Sequence, residues 1–251
     1  MFGDKTMAVM RQLHTFPALV LLMLFPAATV AEGLIYHLPE DGAWVRFEVN
    51  GKGIAPDGTV KVTVEGTQTI SSVGQSVVNN GQCRWIELQT QMTFQRTGAE
   101  AGNLNEVIKL LIPEKYLTKG ENPRDHVLKA YKAASAETIR ELDLKGNDAR
   151  EIQSLDESFH APLKDISPLP AMAIKTKQQS WTCEGFKSET ASEGTIFRTE
   201  TRINKQAPFG VVTYKYEKVR RRNNESQGMR TMEWKFVVSG KDAKSAAPDA
   251  K

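Results

Sequence analysis

The chain has few of the residues, and none of the short motifs, by which catalytic and metal sites are recognised. It contains two cysteines and four histidines in 251 residues. A G-x-S-x-G elbow, a P-loop, an H-E-x-x-H pair and a complete dinucleotide fingerprint are all missing. We therefore predict no catalytic residues, no cofactor and no metal. Whether the protein is an enzyme stays open at this point, with a non-enzyme favoured.

An excess of charge of one sign is also missing. The segment after residue 31 carries 31 basic and 29 acidic side chains. Such a balance gives no general reason to expect nucleic acid or an anionic membrane surface as partner. We predict no nucleic-acid partner.

Long hydrophobic runs are absent as well, and the longest lies near the N-terminus. Lys5 and Arg11 precede the apolar run Ala18–Phe25, and Thr29-Val30-Ala31 supplies the small residues that a signal peptidase accepts. Eight apolar residues make about 12 Å of helix, against a hydrocarbon core of roughly 30 Å, so the run is too short for a membrane anchor. The pattern predicts a cleavable signal peptide over 1–31 and export of a soluble, not membrane-spanning protein to the periplasm or the exterior.

The two cysteines are Cys83 and Cys183. In an exported protein, two cysteines favour one disulfide, here closing a loop of about 100 residues worth roughly 4–5 kcal/mol in the chain-entropy model. Two free buried thiols, or half of a metal site, are the alternatives. A metal site is disfavoured because neither cysteine has another cysteine or a histidine at ligand spacing.

Alternation with a period of two dominates both ends of the chain after residue 31. In the longest case, Ile86, Leu88, Met92 and Phe94 face one way while polar residues face the other. Such alternation predicts antiparallel strands with one dry and one wet face. The predicted strands are 43–49, 60–64, 84–95, 107–112, 172–184, 195–203, 211–217 and 230–238.

The middle of the chain predicts two helices. Asn122 and Pro123 form a good helix start, and a second helix is expected from about Asp148, with a stripe that includes Ile152 and Leu155. Residues 136–145 lean toward a strand. The sequence thus predicts an α+β fold, mainly an antiparallel, half-barrel-like sheet with two central helices on one face. We expect a single domain over 32–239 and a disordered tail over 240–251.

Two sets of residues are candidates for binding. The apolar strand faces combine methionine with large aromatics, and they form either a groove for an acyl chain or simply the core. The basic residues near 220 meet an anionic head group or form a solvated hairpin loop. The apolar candidates are Ile86, Leu88, Met92, Phe94, Met232, Trp234 and Phe236, and the basic candidates are Lys218, Arg220, Arg221 and Arg222.

The order of elements resembles the LolA-like family of periplasmic lipoprotein carriers. The similar elements are the leader ending at Ala31, the long strand beginning at Cys83, the central helices and the late strand around 208–212. The resemblance implies an open antiparallel half-barrel whose helices lid an apolar concavity. This chain departs from the family in its predicted disulfide and its polar helical middle.

These patterns predict an exported, non-catalytic protein that binds an apolar or lipid-linked ligand in the cell envelope. One alternative is an envelope structural or protein-interaction domain with a fully packed core. The other is a hydrolase whose site would be assembled from scattered carboxylates and one of His37, His126 or His160.

Overall fold

The computed structural model describes residues 33–118, 121–133, 139–153, 155, 166–192, 194–223 and 225–247. The predicted leader therefore lies outside the described residues. The strands are β1 (Trp44–Ile54), β2 (Val60–Val78), β3 (Gly81–Arg96), β4 (Gly102–Pro113), β5 (Lys129–Ala133), β6 (Ile139–Glu141), β7 (Ser167–Lys175), β8 (Ser180–Ser192), β9 (Thr195–Ile203), β10 (Val211–Arg222) and β11 (Glu225–Gly240).

All eleven strands belong to one antiparallel sheet, in the order β6-β5-β4-β3-β2-β1-β11-β10-β9-β8-β7. The chain forms two meanders, β1–β6 and β7–β11, and these join where the first strand pairs with the last. The connection from β6 to β7 therefore links the two opposite edges of the sheet. Leu142, Ile152 and Leu155 of this connection are buried in the hydrophobic core, so its described part lies against the face of the sheet that bears the core.

The prediction of two central helices, and with it the α+β class, is wrong. Residues Pro123–His126 form only a 3-10 turn, and strand β5, paired with β4, begins at Lys129. Helix α1 (Ala149–Gln153) has five residues. The backbone N–H and C=O groups along the edge of β4 need partners, and β5 supplies them. The helical spacing of a few apolar residues in a short segment contains no information about the unpaired backbone groups of another strand.

The core lies on one face of the sheet, which we call the inner face. Val45, Phe47 and Val49 of β1 alternate onto it and are fully buried. Trp234 of β11 lies opposite Val49, and its indole N–H donates to Gln68 Oε1 at 2.9 Å. The opposite, outer face carries mostly polar side chains, as the alternation predicted. The single domain over 32–239 stays a prediction.

Two inner-face glycines allow the central strands to pack closely. A Cβ atom at Gly66 would overlap the backbone oxygen of Gln91 and lie 2.7 Å from the Cα atom of Met92. A Cβ atom at Gly51 would overlap the sulfur of Met232. Glycine inside a strand commonly marks such a close approach.

Gly66→Ala is expected to destabilise the protein by about 1–3 kcal/mol, because the added methyl group meets backbone that cannot move aside. The matched control is Gly102→Ala in β4, where a Cβ atom meets nothing within 4 Å. Urea unfolding of both variants measures the difference. Equal unfolding midpoints for the two variants would contradict the close approach at Gly66.

One end of the sheet is closed by a buried polar network. Arg84, on the inner face of β3, donates from Nε and Nη2 to Glu114 Oε1 at 3.0 and 2.8 Å. Its Nη1 donates to Ser72 Oγ at 2.8 Å and lies 3.7 Å from Asp41. The network joins β2, β3, the turn after β4 and the segment before β1. We call this the closed end.

The predicted disulfide is not found, and both cysteines are free and buried. Cys83 lies in β3 and Cys183 in β8, with five strands between them. At about 4.8 Å per strand the two sites are on the order of 25–30 Å apart along the sheet, whereas a disulfide needs Cα atoms within about 7 Å. Cys183 belongs to the core, while Cys83 alternates onto the outer face. Burial raises the pKa of the Cys183 thiol.

Residues 241–247 lie against the outer face, and the disordered tail over 240–251 stays a prediction. The carboxylate of Glu87 accepts from Ser245 Oγ at 2.7 Å and from the backbone N–H groups of Ala246 at 3.0 Å and Ala247 at 3.3 Å. Lys109, opposite Glu87 on β4, donates to the Ala247 carbonyl oxygen at 3.4 Å. Hydrogen bonds to the backbone therefore hold residues 241–247 in place, although this segment has little apolar surface to bury. Amino-acid composition alone does not predict such bonds.

Glu87→Ala is expected to release this segment, because three of its hydrogen bonds end on that carboxylate. Hydrogen exchange should then show loss of protection at the amides of Ala246 and Ala247. The control is Glu48→Ala, which removes an exposed carboxylate of β1 and should leave that protection unchanged. Unaltered protection in Glu87→Ala would show that other contacts hold the segment.

Candidate functional site

The seven apolar candidates divide into two groups in the structure. Met92 and Phe94 of β3 are only partly buried and pack against the edge of the core. The other five are at most 4% exposed and lie within the core, which fits their interpretation as packing residues: Ile86, Leu88, Met232, Trp234 and Phe236.

Met92 and Phe94 point to the end of the inner face away from Arg84, which we call the open end. They lie opposite Gly66 and Val64 of β2. Val62, next along the inner face of β2, is also partly buried. Across the sheet, the partly buried Phe197 of β9 lies 6.2 Å from the ring of Tyr216. The open end thus has an apolar floor that continues from the core and is accessible to solvent.

Two of the basic candidates, Lys218 and Arg220, border this floor from a strand and not from a loop. Strand β10 runs to Arg222, so the four basic candidates near 220 lie on a strand and do not form a hairpin loop. Lys218 and Arg220 alternate onto the same face as Tyr214 and Tyr216. The Lys218 ammonium lies 5.2 Å from the centre of the Phe197 ring, which is within the range of a cation–π contact.

The remaining two basic candidates lie apart from this face. A shift of register separates Arg220 from Arg221. The backbone N–H of Arg221 donates to the carbonyl oxygen of Gly194 at 2.6 Å, and Arg221 lines a cavity of about 310 Å³ with Ile196 and Asn223. Arg222 is exposed at the end of β10.

Sequence reasoning missed two further cations at the open end. Arg230 of β11 lies directly opposite Lys218, and Arg96 of β3 lies opposite Val62. Both fall on the inner face by the same alternation that places Met232 and Phe94 there. Alternation along each strand could have predicted that Arg96 and Arg230 lie on the inner face. It could not have predicted the pairing of β1 with β11, which brings the two residues to the same end of the sheet.

The outer face of the same strands is balanced in charge. A cavity of about 690 Å³ there is lined by four basic and four acidic side chains. Arg198 donates to Glu189 and Glu217, each at 2.6 Å, and Lys215 lies 3.6 Å from Glu233. The hydrogen bond to Arg198 lowers the pKa of Glu189. This outer face is a solvated array of ion pairs.

A second group of ion pairs ties the connection between β6 and β7 to the sheet. Lys132 Nζ lies 2.9 Å from Glu151 of α1 and 3.1 Å from Glu106 of β4. Arg140 contacts Asp148 at 2.6 Å and Glu151 at 3.1 Å. Burial opposes the charge on Lys132, but its hydrogen bonds to the two glutamates outweigh that effect and raise its pKa. These charges fix α1 at the β5–β6 edge.

The two described histidines, His37 and His126, show no arrangement typical of a nucleophile and its base. His37 Nε2 lies 3.4 Å from the carbonyl oxygen of Lys205, and burial lowers the pKa of His37. The His126 ring stacks on Tyr116 with ring centres 3.4 Å apart. His160 lies outside the described residues. Within the described ranges no group of three His, Cys, Asp or Glu residues could hold a metal ion.

No helix in the described part of the chain is long and apolar enough to cross a membrane.

Comparison with protein-family models and with curated proteins finds no match. Among solved structures, the chain is similar to a protein from Bacteroides fragilis described as exported with a YmcC-like fold, at 8% identity and a TM-score of 0.30, over 82% of this chain and 99% of the other. It is also similar to a protein from Parabacteroides distasonis described as a lipoprotein, at 9% identity and a TM-score of 0.26, over 80% and 97%. With TM-scores below 0.5, neither likeness carries an argument about this chain. The resemblance to the LolA-like carriers is not confirmed.

Proposed function

We propose that the protein is an exported, non-catalytic binding protein whose ligand is apolar or lipid-linked and lies on the apolar floor of the open end. The observation that carries the proposal is the partial exposure of Met92 and Phe94 on the core-bearing face of the sheet. Residues that only fill a core are fully covered, as Ile86 and Leu88 are on the same strand.

The floor suits a ligand that binds by apolar area. Burial of an alkyl chain contributes up to about 0.8 kcal/mol per methylene, so a chain of ten methylenes could contribute roughly 8 kcal/mol before the cost of association. Met92 adds a flexible side chain that adapts to irregular apolar shapes. The leader predicted over 1–31 supports a location outside the cytoplasm, where lipids in transit need a protein cover.

Native mass spectrometry of protein purified without detergent, followed by lipid extraction, tests the proposal. A bound lipid or lipid-linked molecule is the expected result. In parallel, the neutral dye Nile red should bind with enhanced fluorescence.

A pair of double variants locates the binding. M92E/F94E places two carboxylates on the inner face and is expected to weaken Nile red binding at least tenfold. The matched control, Q91E/T93E, places them on the outer face of the same strand and should bind as the wild type does. If nothing co-purifies and the dye does not bind, the proposal fails and the envelope-interaction alternative is preferred.

A further inference from the structure

We infer that a second site, on the outer face of β3, β4 and β5, binds an extended peptide segment of a partner protein, and that residues 245–247 of this chain occupy it as a competitor in cis. The site is formed by Trp85, Glu87, Lys109 and Tyr131, and we call it the tail site. This inference goes beyond the proposed function, because the tail site lies on the opposite face of the sheet from the apolar floor.

Strand pairing brings the four side chains of the tail site together. Trp85 and Glu87 are two residues apart on β3, so both alternate onto the outer face. Lys109 lies opposite Glu87 on β4, and Tyr131 lies opposite Lys109 on β5. The Lys109 ammonium is 5.2 Å from the centre of the Trp85 ring, which is 5.8 Å from the centre of the Tyr131 ring. A carboxylate, an ammonium and two aromatic rings therefore lie side by side.

The tail site contacts mainly the main chain of its occupant. The Glu87 carboxylate accepts from the backbone N–H groups of Ala246, at 3.0 Å, and Ala247, at 3.3 Å. The Lys109 ammonium donates to the carbonyl oxygen of Ala247 at 3.4 Å. Hydrogen bonds to charged groups are stronger than those between neutral groups, and every peptide has these backbone groups. The contacts are therefore open to a segment from another protein.

The site covers the three side chains of its occupant to different extents. Ser245 is partly buried and donates its hydroxyl to Glu87 at 2.7 Å. Ala246 is exposed, whereas Ala247 is 1% exposed. A larger side chain at 247 would have to push its surroundings aside, while one at 246 would extend into water. The tail site therefore selects a hydroxyl residue, then any residue, then a small residue.

The aromatic part of the tail site favours an occupant from another protein. Trp85 and Tyr131 are partly exposed on a face that is otherwise mostly polar. Tryptophan and tyrosine are enriched at protein interfaces and at the positions that contribute most to binding. Residues 245–247 have only hydroxymethyl and methyl side chains, so they bury little apolar surface against the two rings. A partner segment with an apolar side chain next to its serine or its small residue would gain that contact.

The segment in cis is held in a way that permits exchange. Hydrogen bonds and small side chains hold it, and segments with few buried apolar contacts open at a low cost in free energy. It is nevertheless tethered close to the end of β11, and a short tether gives an effective concentration in the millimolar range. An incoming peptide has to compete with this segment, so the wild type should bind the peptide more weakly than a chain whose own segment is released.

Fluorescence anisotropy with a labelled peptide of residues 241–248 tests the inference. In the full-length variant S245A/A246P, the segment in cis loses the Ser245 hydroxyl and the Ala246 N–H, which both bond to Glu87. This variant is expected to bind the peptide at least tenfold tighter than the wild type. Adding E87A to it should remove the gain. The control E48A removes an exposed carboxylate from β1 and should keep the gain.

Three altered peptides test the selection of the occupant. A246Q should bind as the parent peptide does, and A247L should bind at least tenfold more weakly. Leucine at one of the two flanking positions, in K244L or P248L, should raise the affinity several-fold, and W85A in the protein should remove that gain. If leucine at neither position raises the affinity, the site serves only this chain's own segment and the inference fails.

Hydrogen exchange provides a second measurement on the wild type itself. An excess of the parent peptide should remove the protection of the chain's own Ala246 and Ala247 amides. Retained protection under that excess, or equal affinity of the wild type and S245A/A246P for the peptide, would overturn the inference. Nile red binding at the open end should be unchanged by the peptide, so the proposed function stands or fails separately.

Discussion

Replacing Trp234 by alanine is expected to lower the free energy of unfolding by about 3–5 kcal/mol, the range found when a large buried aromatic is truncated. Trp234 is 1% exposed and lies 5.3 Å from the ring of Tyr214. The truncation would leave a cavity between β10, β11 and β1 and remove the donor to Gln68. Urea unfolding followed by circular dichroism measures the loss.

The matched control is Trp44→Ala, which truncates a half-buried tryptophan on the outer face of β1 and should cost much less. Trp234→Phe keeps most of the volume and loses the indole N–H, so its loss of stability should be intermediate, with about 0.5–1.5 kcal/mol from the lost hydrogen bond to Gln68. If Trp234→Ala unfolds like the wild type but fails to bind Nile red, then Trp234 lines a groove and does not serve as core.

Glu114→Ala is expected to destabilise the protein by about 3 kcal/mol, because it leaves the buried guanidinium of Arg84 without its main partner. The side chain of Arg84 is 5% exposed. Its remaining partners are Ser72, at 2.8 Å, and Asp41, whose carboxylate is 3.7 Å away. Loss of the network should also loosen the contact between the segment before β1 and the turn after β4.

Glu189→Ala provides the comparison for that prediction, because it removes a carboxylate that lies even closer to its arginine, but at an exposed site. Glu189 lies 2.6 Å from Arg198, and both side chains are about half exposed. Exposed ion pairs contribute about 0–1 kcal/mol, so this variant should unfold close to the wild type. Similar losses in the two variants would show that burial does not govern the strength of the Arg84 network.

The alternation in the sequence correctly located most of the antiparallel strands but not all of their bounds. The single strand predicted over 172–184 is wrong, because β7 ends at Lys175 and β8 begins at Ser180, and β5 lies where a helix was predicted. The predicted strand over 60–64 is the first quarter of β2, which continues to Val78. Beyond Val64 the positions on β2 include glycine, glutamine and serine, so the apolar signal ends although the strand does not. Backbone pairing with β1 and β3 maintains it there.

About half of the residues at the candidate site could be identified from the sequence. Met92 and Phe94, together with Lys218 and Arg220, were identified from their residue types. Arg96 and Arg230 were not, because each is an unremarkable charged residue until the pairing of strands places it beside the others. Residues of the same type can also differ in burial, since Met232 lies in the core whereas Met92 is only partly buried.

The sequence by itself determined the strand-rich class, the dry face of each long strand and the lack of any recognisable catalytic motif, because these depend on local order and residue type. Among the described residues, the tertiary structure decided the presence of β5 where a helix was predicted, the separation of Cys83 from Cys183, the docking of 241–247 and the position of the basic residues at the open end. Each of these depends on which strands are neighbours. Strand neighbours are fixed by backbone hydrogen bonds and by packing between residues far apart in the chain, which no local pattern contains.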